Sequence, residues 1–304
     1  ESLVADPVAP EDYARLTEIF ENPSLQMVTF TITEKGYSLV NGKGEKLPGV
    51  EDGFLAGPGN QSHLMGRIAS LCYARFVKNG TPLALVSTDN CSHNGDKLKA
   101  GVMAYVDAWK QAGKVDDDFV SYMEEKVSFP WSMIDKITPR PDEKVKEMLE
   151  KDGFEDTDLI ITSRNTYTAP FVNSEETGYL VIEDNFPNGR PPLEKAGIVF
   201  TDRETVDKVE KMKVCTCLNP LHTALAIYGC MLGHTSIHDE MEDKELSQLI
   251  QKMCYEEAMS VVVNPGVIDP KEFANAVLTK RLPNPFMPDT PQRIACDTSQ
   301  KLPI

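Results

Sequence analysis

Three things are scarce in this chain. No apolar run reaches the roughly 18 residues that a membrane-crossing helix needs. Cations are outnumbered: 31 Lys and Arg stand against 47 Asp and Glu, for a net charge of −16. Such a surface disfavours nucleic acid and anionic membranes as partners. Paired cysteines are the third lack. The seven cysteines, at 72, 91, 215, 217, 230, 254 and 296, are odd in number and scattered. They read as reduced thiols of a cytoplasmic protein, not as a disulfide framework. Cys215 and Cys217 are spaced C-x-C, and no second pair completes a zinc site, so no metal is expected. The first residues, Glu1-Ser-Leu-Val-Ala-Asp6, have no signal-peptide pattern. Hydrophobic content of 41% and charged content of 26% are those of a soluble globular protein.

What is present reads as an α/β half followed by a helical half. Residues 27–33 and 83–87 are short, nearly continuous apolar runs, as parallel strands covered on both faces are. Residues 61–77 between them carry Leu64, Ile68, Leu71, Cys72 and Phe76 at helical spacing, giving a strand–helix–strand unit. Ligands of α/β folds bind beyond the C-terminal strand ends. Thr33, Glu34, Asp89 and Asn90 sit there, and the first three are candidate cofactor contacts. Residues 96–111 form the next helix, with Leu98, Val102, Tyr105, Val106 and Trp109 on one stripe. Residues 41–60 read as a surface loop, and 141–151 as a short charged helix. Residues 158–162, 179–182 and 198–200 suggest a small antiparallel or mixed sheet extension. Helices are expected over 204–213, 220–232, 243–262 and 270–282, with Asn219-Pro220 and Asp269-Pro270 as starts. The division falls near 203, giving domains 1–203 and 204–304.

The chemistry gathers in Glu210-Lys-Met-Lys213 and Asn219-Pro-Leu-His222. An enzyme that interconverts carbonyl and alcohol needs a base, a donor for the developing oxyanion and an orienting polar group. Lysine, amide and imidazole supply these types within ten residues. Asn219 reads equally as a helix N-cap, and His222 as a buried core histidine. Glu210, one turn before Lys213, is either a proton relay or a surface ion pair.

Other segments carry a resemblance. Thr31-Ile-Thr33-Glu34-Lys35-Gly36-Tyr37, Ser87-Thr-Asp89-Asn90-Cys-Ser-His93-Asn94-Gly95, Phe129-Pro-Trp-Ser-Met-Ile-Asp135-Lys136-Ile137-Thr138-Pro139 and Arg281-Leu-Pro-Asn284-Pro285 with Asp289-Thr290 resemble, in order, segments of the mannitol dehydrogenase family of polyol-specific long-chain dehydrogenases. The wording of 217–222 and of 182–192 is most similar to the branch acting on D-mannonate and D-fructuronate.

The resemblance implies an incomplete Rossmann-like cofactor domain, then a mostly α-helical catalytic domain. It implies NAD as cofactor and a small sugar acid or polyol as substrate, with metal-independent chemistry. Lys213 is then the general acid/base, which requires a depressed pKa. Asn90 and Asn219 hold the substrate oxygen, and His222 orients the substrate. Arg281 is the candidate for gripping a carboxylate or hydroxyl, since a guanidinium does so bidentately. Asp135 organises the site, and Lys280, Lys136 and Arg140 add positive charge. Tagaturonate reduction and mannitol 2-dehydrogenation are the sister activities. A non-catalytic sugar-acid-binding fragment is the reading from another class.

Two departures stand out. The G-x-G-x-x-G turn that cradles a pyrophosphate is absent, so the chain reads as an internal piece of a longer protein. The family places its asparagine five residues after the lysine, whereas Asn219 is six after Lys213. A regular helix does not put these two on one face, so the backbone is expected to bulge or break between them.

Overall fold

The computed structural model describes residues 9–136, 141–161, 167–172, 174, 178–286 and 289–296. In chain order the elements are α1 (Pro10–Glu21), β1 (Met27–Phe30), α2 (Val50–Ala56), α3 (Leu64–Lys78), β2 (Leu83–Ser87), α4 (Asn94–Gln111), α5 (Asp117–Glu125), β3 (Val127–Ser128) and β4 (Ser132–Asp135). There follow α6 (Glu143–Lys151), β5 (Ile160–Ile161), β6 (Tyr167–Thr168), β7 (Tyr179–Glu183), β8 (Val199–Thr201), α7 (Arg203–Lys211), α8 (Asn219–Leu232), α9 (Ile237–Glu242), α10 (Lys244–Lys252), α11 (Pro270–Ala276) and α12 (Pro291–Cys296). They pack as two units, one of residues 1–134 and 180–206, the other of 135–179 and 207–304. The segment 135–179, placed with the α/β half in the sequence division, groups with the helical unit.

In the first unit β2 lies between β1 and β3 and parallel to both. All five β2 residues are buried, as a central parallel strand requires. The stripe Leu98, Val102, Tyr105, Val106 and Trp109 of α4 is wholly buried in the same core as Ile68, Leu71 and Cys72 of α3. Charge also holds this core. Arg75, on α3 and fully buried, donates to five backbone carbonyls: Phe20 at 2.6 Å, Asn22 at 2.8 Å, Leu25 at 3.0 Å, Thr81 at 2.7 Å and Pro82 at 3.0 Å. One guanidinium thus ties the end of α1 and the approaches to β1 and β2, a fork no lysine reproduces.

The expected sheet extension is present, without its first segment. β7 and β8 pair in parallel, beside β4. Residues 184–198 carry the chain back between them, anchored by Arg190. That guanidinium bonds Asp184 at 2.8 Å and Glu194 at 2.6 Å and lies 3.5 Å over the Phe200 ring. β5 does not join this sheet. It pairs antiparallel with β6 in a separate two-stranded ladder, leaving Ile160 and Ile161 exposed. The expected loop 41–60 contains α2, whose Gly53 carbonyl accepts from the buried Trp109 indole at 2.8 Å.

The second unit is helical, with Met212, Leu221, Leu225, Ile250, Phe273 and Val277 in its core. Asp243 and Asp269 cap α10 and α11, each accepting from two backbone N–H groups. Three of its helices run into π-turns: Met212–Cys217 after α7, Met253–Glu257 after α10 and Val277–Arg281 after α11. The expected helices 243–262 and 270–282 are therefore composite. The continuous helical run Arg203–Leu232 has 30 residues and an 18-residue window of mean hydropathy 1.2, enough to cross a membrane by length and composition alone; 44% of that window is buried in the fold.

Candidate active site

Lys213 is buried, only 2% exposed, inside the first π-turn. The Leu218 N–H donates to the Lys213 carbonyl at 3.0 Å, five residues back, and the His222 N–H to the Leu218 carbonyl at 2.9 Å, four back. A π-turn holds one residue more than an α-turn. The extra residue in the six-residue step from Lys213 to Asn219 is taken up there, and the helical run goes on into α8. The expected bulge is this wide turn.

Leu218, not Asn219, stands at the N-cap of α8, and no side chain caps that end. Asn219 is the first helical residue, and its carboxamide is left for other work. It lines a cavity of about 610 Å3 with Val214, Pro220, Thr223, Ile227 and Met253. The Thr223 hydroxyl on that wall is buried and makes no hydrogen bond among the described residues. Glu210 is half-buried one turn before Lys213.

His222 is paired. Its Nε2 lies 3.2 Å from an Asp289 carboxylate oxygen, and Arg293 bonds the other oxygen. Burial alone would raise the Asp289 carboxyl, but hydrogen bonds from His222 and Arg293 outweigh it and hold the carboxyl below its usual range. Arg281, 9% exposed, closes the third π-turn, where the Leu282 N–H reaches the Val277 carbonyl at 2.9 Å. Lys136 and Lys280 are exposed. The Asp135 side chain and Arg140 lie outside the described residues.

The remaining candidates belong to the first unit. Asn90 is exposed in the turn after β2. Thr33 and Glu34 are exposed beyond β1, with Glu34 paired to Lys97. Asp89 is buried and turned inward. It accepts from the Ile32 N–H at 2.9 Å, the Thr33 N–H at 2.7 Å and the Tyr37 hydroxyl, which lies 2.7 Å from Ser87 Oγ. Burial, then the bond to Asp89, pushes the Tyr37 phenol well above its usual range. This latch holds Thr33 at φ 64° and ψ 159°, a conformation natural only to glycine.

Asn94 is a buried clamp. Its amide donates to the carbonyls of Asp89 and Ser132, each at 3.0 Å, and its oxygen accepts from the Ser132 N–H at 3.0 Å. At Gly95 a Cβ would stand 2.6 Å from the Phe129 carbonyl oxygen. Asn94-Gly95 reads as a turn in sequence, and only the fold brings Ser132 and Phe129 to it. Asp289 stood in a matching segment, but its pairing with His222 had no local signal.

His238, Asp239 and Glu242 bring ligand-type atoms within 4.8 Å of one another on α9. Both carboxylates are exposed, and three groups do not complete a four-ligand site.

Residues 3–195 match the mannitol dehydrogenase Rossmann domain, and residues 205–304 the mannitol dehydrogenase C-terminal domain. The chain is 54% identical to a D-mannonate oxidoreductase of Thermotoga maritima over 100% of its own length and 56% of the relative's. It is 30% identical to a mannitol dehydrogenase of Saccharomyces cerevisiae, over 99% of this chain and 57% of that protein. The chain thus spans little more than half the length of these relatives. The crystal structure of a substrate-free D-sorbitol dehydrogenase superposes with a TM-score of 0.82 at 26% identity, covering 97% of this chain and 57% of that one. The Pseudomonas fluorescens mannitol 2-dehydrogenase in ternary complex with NAD and D-mannitol gives 0.70 at 25% identity, over 93% and 54%. With a Rossmann-like α/β domain followed by a helical one, and both domains of the family matched in order, the chain belongs to the mannitol dehydrogenase family.

Proposed function

We propose that this chain carries the catalytic groups of an NAD(H)-dependent dehydrogenase that interconverts D-fructuronate and D-mannonate. The observation that carries the reading is the buried Lys213, presented by a π-turn beside an uncapped Asn219, in a chain 54% identical to a D-mannonate oxidoreductase. π-turns recur at functional sites because the wide turn frees backbone and re-aims side chains.

When bound, the dinucleotide supplies or accepts a hydride at the substrate carbon. This chain's part is proton transfer and positioning. In ketone reduction Lys213 gives the proton that converts the oxyanion to the hydroxyl, and in alcohol oxidation it takes that proton back. Asn90 and Asn219 donate hydrogen bonds to the reacting oxygen, each such donor contributing about 3 kcal/mol to the transition state. His222 orients the substrate hydroxyls, and Arg281 meets the carboxylate, with Asp135 and Lys136 in support. Glu210 passes protons between Lys213 and water.

What the chain offers a dinucleotide is the C-terminal edge of its parallel sheet, at Thr33 and Glu34. We assign Asp89 to shaping that edge, since its oxygens are already engaged with Ile32, Thr33 and Tyr37. No Gly-rich pyrophosphate turn occurs in these 304 residues, so the edge is one part of a dinucleotide site.

The test is NADH consumption with D-fructuronate, D-tagaturonate and D-fructose offered in parallel. Fastest turnover of fructuronate is expected. Activity with fructose alone would make the protein a mannitol dehydrogenase and remove the need for Arg281 as a carboxylate clamp. Absence of NADH binding by this chain would favour a sugar-acid-binding fragment.

A further inference from the structure

Glu240, on α9, is the most anomalous group in the helical unit. Its side chain is fully buried, and neither carboxyl oxygen has a hydrogen-bond partner among the described residues. It lies flat on α8. A Cβ built at Gly229 would fall 1.5 Å from its Oε1, so the glycine is what admits it. Buried unpartnered carboxylates are costly enough that such a group ordinarily keeps its proton.

The surroundings explain which of two nearby carboxyls gives way. Asp289 is the other, and its charge is felt at Glu240. The two share a local framework, for the Ile237 N–H at the start of α9 donates to the Asp289 carbonyl at 3.1 Å. Asp289 has two partners, His222 on α8 and the guanidinium of Arg293 on α12. Glu240 has none among the described residues, and its own helix adds the negative Asp239. From α10, Asp243 is spent on its own helix N-terminus and on His234 at 3.6 Å. Like charges in a water-poor site do not both ionise, so the carboxyl with partners takes the charge and the one without takes the proton.

We propose that Glu240 is a positioning residue for His222: kept as the uncharged acid between α8 and α9, it leaves the negative charge to Asp289 and so preserves Asp289 as the imidazole's anionic partner. This rests on the reading of His222 as a substrate-orienting group, yet it is testable without turnover. Burial, then Asp239 and Asp289, pushes the Glu240 carboxyl up to about 8. Its folded value therefore exceeds its unfolded one. Its contribution to stability is fully present below the ordinary carboxylate range and is lost as pH rises towards about 8.

The experiment uses the whole chain, wild type and Glu240→Gln. His222 is followed by its imidazole proton resonances, assigned among the five histidines with a His222→Asn variant. The wild-type His222 signal is expected to show its own titration plus a second inflection in the alkaline range. Glu240→Gln should abolish the second inflection and leave the main midpoint within a few tenths of a unit. It should also flatten the fall of the thermal midpoint between the ordinary carboxylate range and about pH 8. A fall of about a unit in the His222 midpoint would show Glu240 already ionised beside it, and overturn the proposal. So would a second inflection that survives in the variant. Should the variant not fold, the carboxyl carbon shift of Glu240 in the glutamate-labelled wild type decides: titration in the ordinary carboxylate range overturns the proposal, and an alkaline midpoint supports it. Failure of the fructuronate assay leaves every one of these readings unchanged.

Discussion

At the scale of the residue, three side chains carry separable demands. Lys213→Ala is expected to lower turnover by two to four decades, about the size of general acid–base effects, with circular dichroism unchanged. Surviving activity would remove the lysine from the reaction. Arg75→Lys retains the charge but not the five-carbonyl fork. Leaving several buried carbonyls unpaired should cost about 3 kcal/mol or more, read as a drop in urea midpoint. Thr33→Gly works in the opposite sense. The backbone there is glycine-like, with φ 64°, so the change should raise stability by about 1 kcal/mol. A loss of stability at that position would mean that the threonine side chain holds more than its strain costs.

At the scale of the element, the π-turn after α7 makes a sharp expectation. Deleting Thr216 turns a wide turn into an ordinary one and leaves α7 and α8 in phase. The variant should fold with a thermal midpoint within a few degrees of wild type. Deleting Ala226 from α8 instead rotates every following side chain by about 100° and should abolish cooperative unfolding. Equal damage from the two deletions would show that the turn absorbs nothing. The same element shows what was legible in the sequence. The strand–helix–strand unit, the α4 stripe and the Asp269 cap were readable because local periodicity and capping chemistry write them. The six-residue spacing from Lys213 to Asn219 announced an irregularity, though not its form. The cap at Leu218, the parallel pairing of β7 with β8 and the inward turn of Asp89 were not readable. Each depends on partners far off in the chain, such as Val199 opposite Val181, or Asp89 with Ile32 and Thr33. Glu240 was invisible for the same reason: the glycine that houses it lies on another helix.

At the scale of the whole molecule, a net charge of −16 sets a background of self-repulsion. Exposed pairs such as Arg15–Glu18 and Lys46–Glu51 offset little of it. Raising sodium chloride to about 0.2 M shortens the screening length to under 10 Å and should lift the thermal midpoint by a few degrees. A midpoint that falls with salt would show that attractive pairs outweigh the net repulsion. The carbonyls gathered by Arg75 carry a further consequence. Phe20 and Asn22 precede the surface turn at Pro23-Ser24, and Leu25 follows it. Asn188 also grips the carbonyls of Pro23 and Leu25. A protease that severs the Pro23–Ser24 bond would thus cut a chain whose two new ends remain tethered to the same guanidinium. The nicked protein should migrate as one species in a native gel and as two in a denaturing one, its covalent continuity at that point dispensable once folding is done.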